Sequence, residues 1–275
     1  NTEYLAIYYN ENPRLHLRVN ATATTPEKLI QYFAKREIVV EKAPAGSQML
    51  ITDNADVLDD VAFSEGYFSI QDCSSAMVVD LLDPQPDENI LDLFAAPGGK
   101  CTYIAEKMEN TGEVVAVDKI PSKMKLLKQA ADRLQLTNIK QIVTDAFKYG
   151  PVAPAYHRVL VDAPCSGWGV FGRKADLRWQ AHQNLNELVK LQAKALEYAA
   201  NFVAKGGTLV YSTCTLNPAE NDEQIKNFLA RNKNFTLVDA ASYLDPLYVD
   251  SSFYRTLPFK HNIDGAFAAR MAKST

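Results

Sequence analysis

From about residue 88 onward the chain alternates between two periodicities. Short apolar runs at "NILDLF" (89–94), "EVVAVD" (113–118), "IKQIV" (139–143), "HRVLVD" (157–162) and "GGTLVYST" (206–213) read as buried strands. Helical patterns fall between them. "GGKCTYIAEKM" (98–108) follows Pro97 and two glycines. "SKMKLLKQAADRL" (122–134) sets Met124, Leu127, Ala131 and Leu134 on one face. A long helix is predicted at about 184–203 and another at "PAENDEQIKNFLA" (218–230). Two late segments, about 235–238 and 266–271, complete the sheet. Alternation of this kind predicts an α/β fold, a mainly parallel sheet with helices on both faces.

Residues 1–64 are patterned differently. "NPRLHLRVN" (12–20) predicts a strand, "TPEKLIQYFAKRE" (25–37) a helix opened by Thr25 and Pro26, and "IVVEKA" (38–43) a second strand. This is a small N-terminal α+β module. Residues 65–88 lead through a helix into the sheet, which gives two units, 1–64 and 65–275.

Composition narrows the class. The chain has 275 residues, 47% hydrophobic and 23% charged, as in ordinary globular proteins. No apolar run approaches the roughly 18 residues of a membrane span, and no leader with a cleavage site is visible. A cytoplasmic location is expected. The first residue is Asn1, not Met, as expected of a fragment or of a processed or renumbered chain. Four cysteines without a CxxC pair, and scattered histidines, predict no metal. Residues 1–88 hold 6 basic and 15 acidic side chains, the remainder 23 and 18, so any basic surface belongs to the larger unit.

The candidate chemistry lies at the carboxyl ends of the predicted strands, where open α/β sheets bind ligands. The first turn is "DLFAAPGGK", Asp92 to Lys100. Its glycines let backbone N–H groups approach a ligand, although the GxGxxG fingerprint is absent. Asp118, Asp145 and Asp162 end the next three strands. One such acid is usually a turn residue or helix cap, but three beside a glycine turn outline a nucleoside-type pocket. Cys165 follows Asp162 in "DAPCSG", and Cys214 ends the strand "LVYSTC" between two threonines. If those strands are neighbours, two thiols meet beside the pocket, which points to covalent chemistry. Cys73 and Cys101 read as packing residues.

These residues resemble the RNA cytosine-5 methyltransferases that use S-adenosylmethionine. The matching stretches are "DLFAAPGGKCTYIAE", "VVAVD", "VTDA", "VLVDAPCSGWGVFGRKADLRW" and "GGTLVYSTCTLNPAENDEQI". The resemblance covers about residues 12–272 and is strongest to the bacterial 16S rRNA methyltransferase B type. It implies a Rossmann-like class I methyltransferase sheet. It implies Cys214 as the nucleophile, Cys165 as the thiol that aids product release, and Asp162 as the group orienting the cytosine. It also implies that Phe94, Ala95, Ala96, Pro97, Gly98, Gly99 and Lys100 surround the methionine part of S-adenosylmethionine. Asp118 would hold the ribose and Asp145 the adenine side. Phe94, Cys101, Trp168 and Phe171 depart from the residues common at their positions.

The partner implied is RNA, with 16S rRNA first. Basic candidates for its backbone are Arg14, Arg18, Lys119 and Lys123, with Arg173, Lys174 and Arg178 favoured beside the catalytic loop. Two alternatives stay open: the same chemistry on tRNA or another RNA, and a noncatalytic RNA-binding or ribosome-assembly role. The intact cysteines argue against the second.

Overall fold

The computed structural model describes residues 2–150, 156–179 and 184–275. The N-terminal part runs α1 (Thr2–Asn10), β1 (Leu15–Val19), α2 (Pro26–Ala34), β2 (Glu41–Lys42), β3 (Met49–Thr52), α3 (Val61–Ser64) and β4 (Phe68–Ile70). Its four strands form an antiparallel sheet in the order β2-β3-β1-β4. Helix α2 starts as the sequence predicts: the Thr25 side chain accepts from the backbone N–H of Lys28, and Pro26 fills the first turn. Its Leu29 and Phe33 pack on Leu17, Val19, Leu50 and Phe68 in a core of the module's own.

Several elements differ from the sequence reading. The predicted strand 38–43 shrinks to Glu41–Lys42, and Val39 stays 72% exposed. Strand β3 was not predicted; a four-residue run is too short for periodicity to declare itself. Strand β4 pairs with β1 through Leu17↔Ile70, so the module's sheet extends past the expected boundary at 64. Helix α1 was not predicted either. It leaves Tyr4 and Ile7 exposed, so it shows little amphipathic pattern.

The larger part comprises α4 (Cys73–Leu82), β5 (Asn89–Asp92), α5 (Gly99–Lys107), β6 (Glu113–Asp118), α6 (Pro121–Arg133), β7 (Ile139–Val143), β8 (Tyr156–Asp162) and α7 (Leu185–Ala200). It continues with β9 (Val203–Thr213), α8 (Asp222–Arg231), β10 (Phe235–Val238), β11 (Val249–Asp250), β12 (Phe253–Thr256), α9 (Pro258–His261) and β13 (Ala266–Lys273). The sheet path is β11-β12-β13-β9-β8-β5-β6-β7, with β10 paired to β13. Strands β5 to β9 are mutually parallel; β13 is antiparallel to β9. Apolar clusters cover both faces, as a parallel sheet requires. Cys73 and Cys101 are fully buried within one of them.

The chain builds outward from β5 to β7, then returns to β8 on β5's other side. The strand order therefore reverses between β5 and β8. Crevices of this kind, at carboxyl ends, bind ligands in open α/β sheets.

Candidate active site

The turn after β5 straddles this switch point. Leu93 N–H donates to the Leu160 carbonyl at the end of β8, and Ala95 N–H to that of Val117 in β6. Gly98 adopts φ +112°, and a Cβ there would lie 2.4 Å from a Leu127 methyl, so both backbone and packing demand glycine. Behind the turn stands Arg18 of β1. It is fully buried, bonds Glu106 at 2.7 Å, and donates to the Gly99 carbonyl at 2.6 Å. Arg18 therefore cannot contact RNA, contrary to the expectation from charge alone. Arg14 pairs with Glu41 and Asp53.

A cleft of about 410 Å³ opens here, lined by Phe94–Lys100, Asp92, Asp162, Arg173, Lys174 and Cys214. A wider groove of about 600 Å³ between Pro44–Ser47 and Ser242–Asp245 is lined by no nucleophilic cysteine. Asp162 accepts from Lys100 Nζ at 2.8 Å and from the Ser212 hydroxyl at 2.7 Å. Asp118 caps the turn instead of facing the cleft freely: its carboxylate accepts from Ala96 and Ile120 N–H groups at 3.3 and 2.9 Å. Asp145 ends the neighbouring region of β7 and caps Phe147. Asp118 and Asp145 thus sit on the adjoining rim, outside the cleft's immediate lining.

Sequence reasoning missed Asp92. It is 1% exposed, lines the cleft, and its Oδ1 has no hydrogen-bond partner. Burial, followed by the nearby Asp162, pushes its pKa up to about 7. The signal was present: Asp92 ends the first sheet-domain strand, as Asp118 and Asp162 end later ones.

Cys165 and Cys214 meet as the strand order requires, because β8 and β9 are neighbours. Their sulfurs are 3.3 Å apart. Either sulfur can donate in this contact, and the Cys214 N–H donates to Cys165 Sγ at 3.3 Å. The Cys165 contact lowers the Cys214 pKa, and Lys100 and Lys174 act in the same direction, against burial and Asp162. The Cys165 pKa moves the opposite way, raised first by this contact and then by burial. Of the two thiols, Cys214 is the one whose pKa moves down. The loop after Cys165 is stitched to the strand end by Gly169, whose N–H donates to the Cys214 carbonyl at 3.0 Å. A Cβ on Gly169 would fall 2.1 Å from the Gly265 carbonyl oxygen.

The three favoured basic residues separate. Arg173 bridges Asp72 at 2.9 Å and Asp264 at 3.0 Å, and donates to the Arg14 carbonyl. Arg178 bonds the Tyr9 carbonyl and Asn10 of α1. Tyr9 in turn donates to the Trp168 carbonyl and meets Phe171 edge-on at 5.5 Å. These two arginines clamp the loop after Cys165 to the N-terminal part. Lys174 is exposed at the cleft's edge. Among the described residues, no three His, Cys, Asp or Glu side chains group as metal ligands, and no helix is long and apolar enough to cross a membrane.

Comparison with known proteins agrees with this geometry. The family described as "16S rRNA methyltransferase RsmB/F" matches residues 79–272. The "Probable ribosomal RNA small subunit methyltransferase B" of Synechocystis sp. is 38% identical, over 99% of this chain and 63% of its own length. The Bacillus subtilis protein of the same name is 38% identical, over 95% of this chain and 60% of its own. The chain therefore spans about three fifths of the length of these relatives. The structure described as "Crystal Structure of PH0851" superposes with a TM-score of 0.92 at 34% identity, covering 99% of this chain and 62% of that one. The structure of a "Methyltransferase Homolog Protein from Pyrococcus Horikoshii" superposes with a TM-score of 0.82 at 25% identity, covering 98% and 90%. The fold is the Rossmann-like class I methyltransferase sheet, and the chain belongs to the 16S rRNA methyltransferase RsmB/F family.

Proposed function

We propose that this chain transfers a methyl group from S-adenosylmethionine to C5 of a cytosine in RNA, with 16S rRNA as substrate. The observation that carries the reading is the thiol pair: two sulfurs 3.3 Å apart at the cleft, with Cys214 biased toward the thiolate by Cys165.

The cleft fits a cationic cofactor. Asp92 presents an unpartnered buried oxygen, and Asp162 adds a second carboxyl group to the lining. S-adenosylmethionine carries an ammonium and a sulfonium, and bound here it supplies an electrophilic methyl group. Phe94, Ala95, Ala96, Pro97, Gly98, Gly99 and Lys100 would hold its methionine part, and on the adjoining rim Asp118 would hold the ribose and Asp145 the adenine side.

The need for a thiolate follows from the base. C5 of cytosine is a poor nucleophile because the ring is electron-poor. Addition of Cys214 Sγ to C6 makes C5 enamine-like and able to accept the methyl group. Asp162, held by Lys100 and Ser212, orients the N3/N4 edge. Transfer of the C5 proton to a water molecule then expels Cys214 as a thiolate, and the Cys165 S–H is placed to stabilise that leaving sulfur. A paired base must be flipped out to reach this depth. Lys174 meets the RNA backbone, while Arg173 and Arg178 hold the loop that presents it.

A denaturing gel with substrate RNA and cofactor tests the assignment. Cys214→Ala abolishes transfer and leaves no covalent band. Cys165→Ala traps the RNA on Cys214 as a shifted band. A reversed pattern makes Cys165 the nucleophile, and methylation by both variants ends the covalent reading.

A further inference from the structure

In the segment "NPAEN" (217–221), which follows the strand-ending cysteine, Asn217, Glu220 and Asn221 are buried while Pro218 is exposed. Glu220 is fully buried, yet among the described residues both its oxygens accept hydrogen bonds only from neutral donors. Ser166 donates to it twice, through N–H at 2.9 Å and through the hydroxyl. Gln192 donates at 2.9 Å and Asn217 at 3.3 Å. The Ser166 hydroxyl also meets that of Thr215 at 2.7 Å. Glu220 thus grips the residue after Cys165, which in turn touches the residue after Cys214. Asn221, also fully buried, completes the hold. Its Oδ1 accepts from the Thr213 hydroxyl at 2.6 Å, and its Nδ2 donates to the Thr215 carbonyl at 2.9 Å. This explains the two threonines that flank Cys214.

A buried carboxyl group with no cationic partner among the described residues is an expensive way to tie two loops. An apolar contact would tie them at less cost but would not fix them to a fraction of an ångström. We infer that Glu220 is a positioning residue, which with Asn221 sets the spacing of the Cys165 and Cys214 sulfurs. The inference rests on the proposed covalent reaction for its catalytic meaning, but its geometry can be tested separately.

Phenylarsine oxide bridges two neighbouring thiols. Two As–S bonds form, and the arsenic-bound oxygen leaves as water with both thiol protons. Cys73 and Cys101 are fully buried, so the reagent reports on the catalytic pair. In wild-type protein the bridge forms and is read by intact mass. Glu220→Gln keeps the side chain's size but turns an acceptor into a donor facing donors. It is expected to slow bridging at least tenfold and to lower kcat similarly. KM for RNA and S-adenosylmethionine affinity by calorimetry stay unchanged. If this variant does not fold, Ser166→Ala, which deletes one donor, gives the same two readouts with smaller losses. Unchanged bridging and kcat in a folded variant overturn the inference. So does a loss that merely tracks the unfolded fraction in thermal melts. No methyl transfer by wild-type protein would overturn the proposed reaction while leaving the bridging result to judge Glu220.

Discussion

One wall of the cleft, Asp92 to Lys100, is a single unbroken stretch. The other joins Cys165 and Cys214, which lie 49 positions apart. The first is shaped by backbone: a strand end, a left-handed glycine and a helix N-terminus. The second is shaped by side chains, with Glu220 and Asn221 reaching from a third segment to hold both cysteine loops. A wall of backbone can thus be specified locally, whereas a wall of spaced thiols needs a buried polar network to fix it. Such a network is satisfied only when every donor has its acceptor.

The largest expected effect breaks the first wall from behind. Arg18→Ala leaves Glu106 buried without its cation and should cost about 3–5 kcal/mol in urea denaturation. The folded fraction should still bridge its thiols with phenylarsine oxide at the wild-type rate. Loss of bridging in step with cofactor binding would mean that the two walls are not independent.

A change of a few kcal/mol is expected from Asp92. Its folded pKa, about 7, lies above the unfolded value of 3.8. The stability that this group contributes is therefore full below about pH 4 and is lost as pH rises toward 7. Asp264, raised to about 7 by burial and then by Asp72, acts in the same direction. Asp92→Asn should flatten the fall in thermal stability between pH 4 and 7 without abolishing it. An unchanged pH slope would show that Asp92 is ionised throughout that range.

Asp118→Ala should weaken S-adenosylmethionine binding by about 1–3 kcal/mol, through lost ribose acceptors and an uncapped Ala96 N–H. Titration calorimetry measures this, and the Cys165–Cys214 bridging rate should not move. Wild-type affinity would remove Asp118 from the cofactor site.

The smallest effect concerns the loop after Cys165, which we propose meets RNA. Lys174→Glu should lower the salt slope of RNA binding by about 1 and leave melting unchanged. Arg173→Glu places a third acid beside Asp72 and Asp264 and should lower thermal stability instead. An equal salt response in both variants would erase the distinction between a free lysine and a clamped arginine.

Much of the sheet was legible because its strands are apolar runs bounded by turn residues, and helices such as α6 show one apolar face. The acids at strand ends and the two cysteine motifs were legible for the same reason: strand ends can be located from pattern. Asp92 was overlooked although it obeys that rule. Helix α1, strands β3 and β4, and the β11–β12 hairpin were not legible. They are short or weakly patterned, and are held by partners distant in sequence, as Tyr9 is by Trp168. The arginines were misjudged because composition counts charges without showing which are already paired.

By itself, the sequence determined the order of the parallel strands β5 to β9 and the helices between them, the glycine turn, and the acids and thiol at or just after the ends of those strands. Those features depend on periodicity and local backbone preference, which neighbouring residues encode. Only the tertiary structure decided that Arg18 is buried, that Arg173 and Arg178 are clamps, and that the two sulfurs lie 3.3 Å apart. Each of those outcomes depends on which distant groups share a buried space. There an unpaired charge or polar atom costs more than it does in water, so the partner, not the residue type, sets its role.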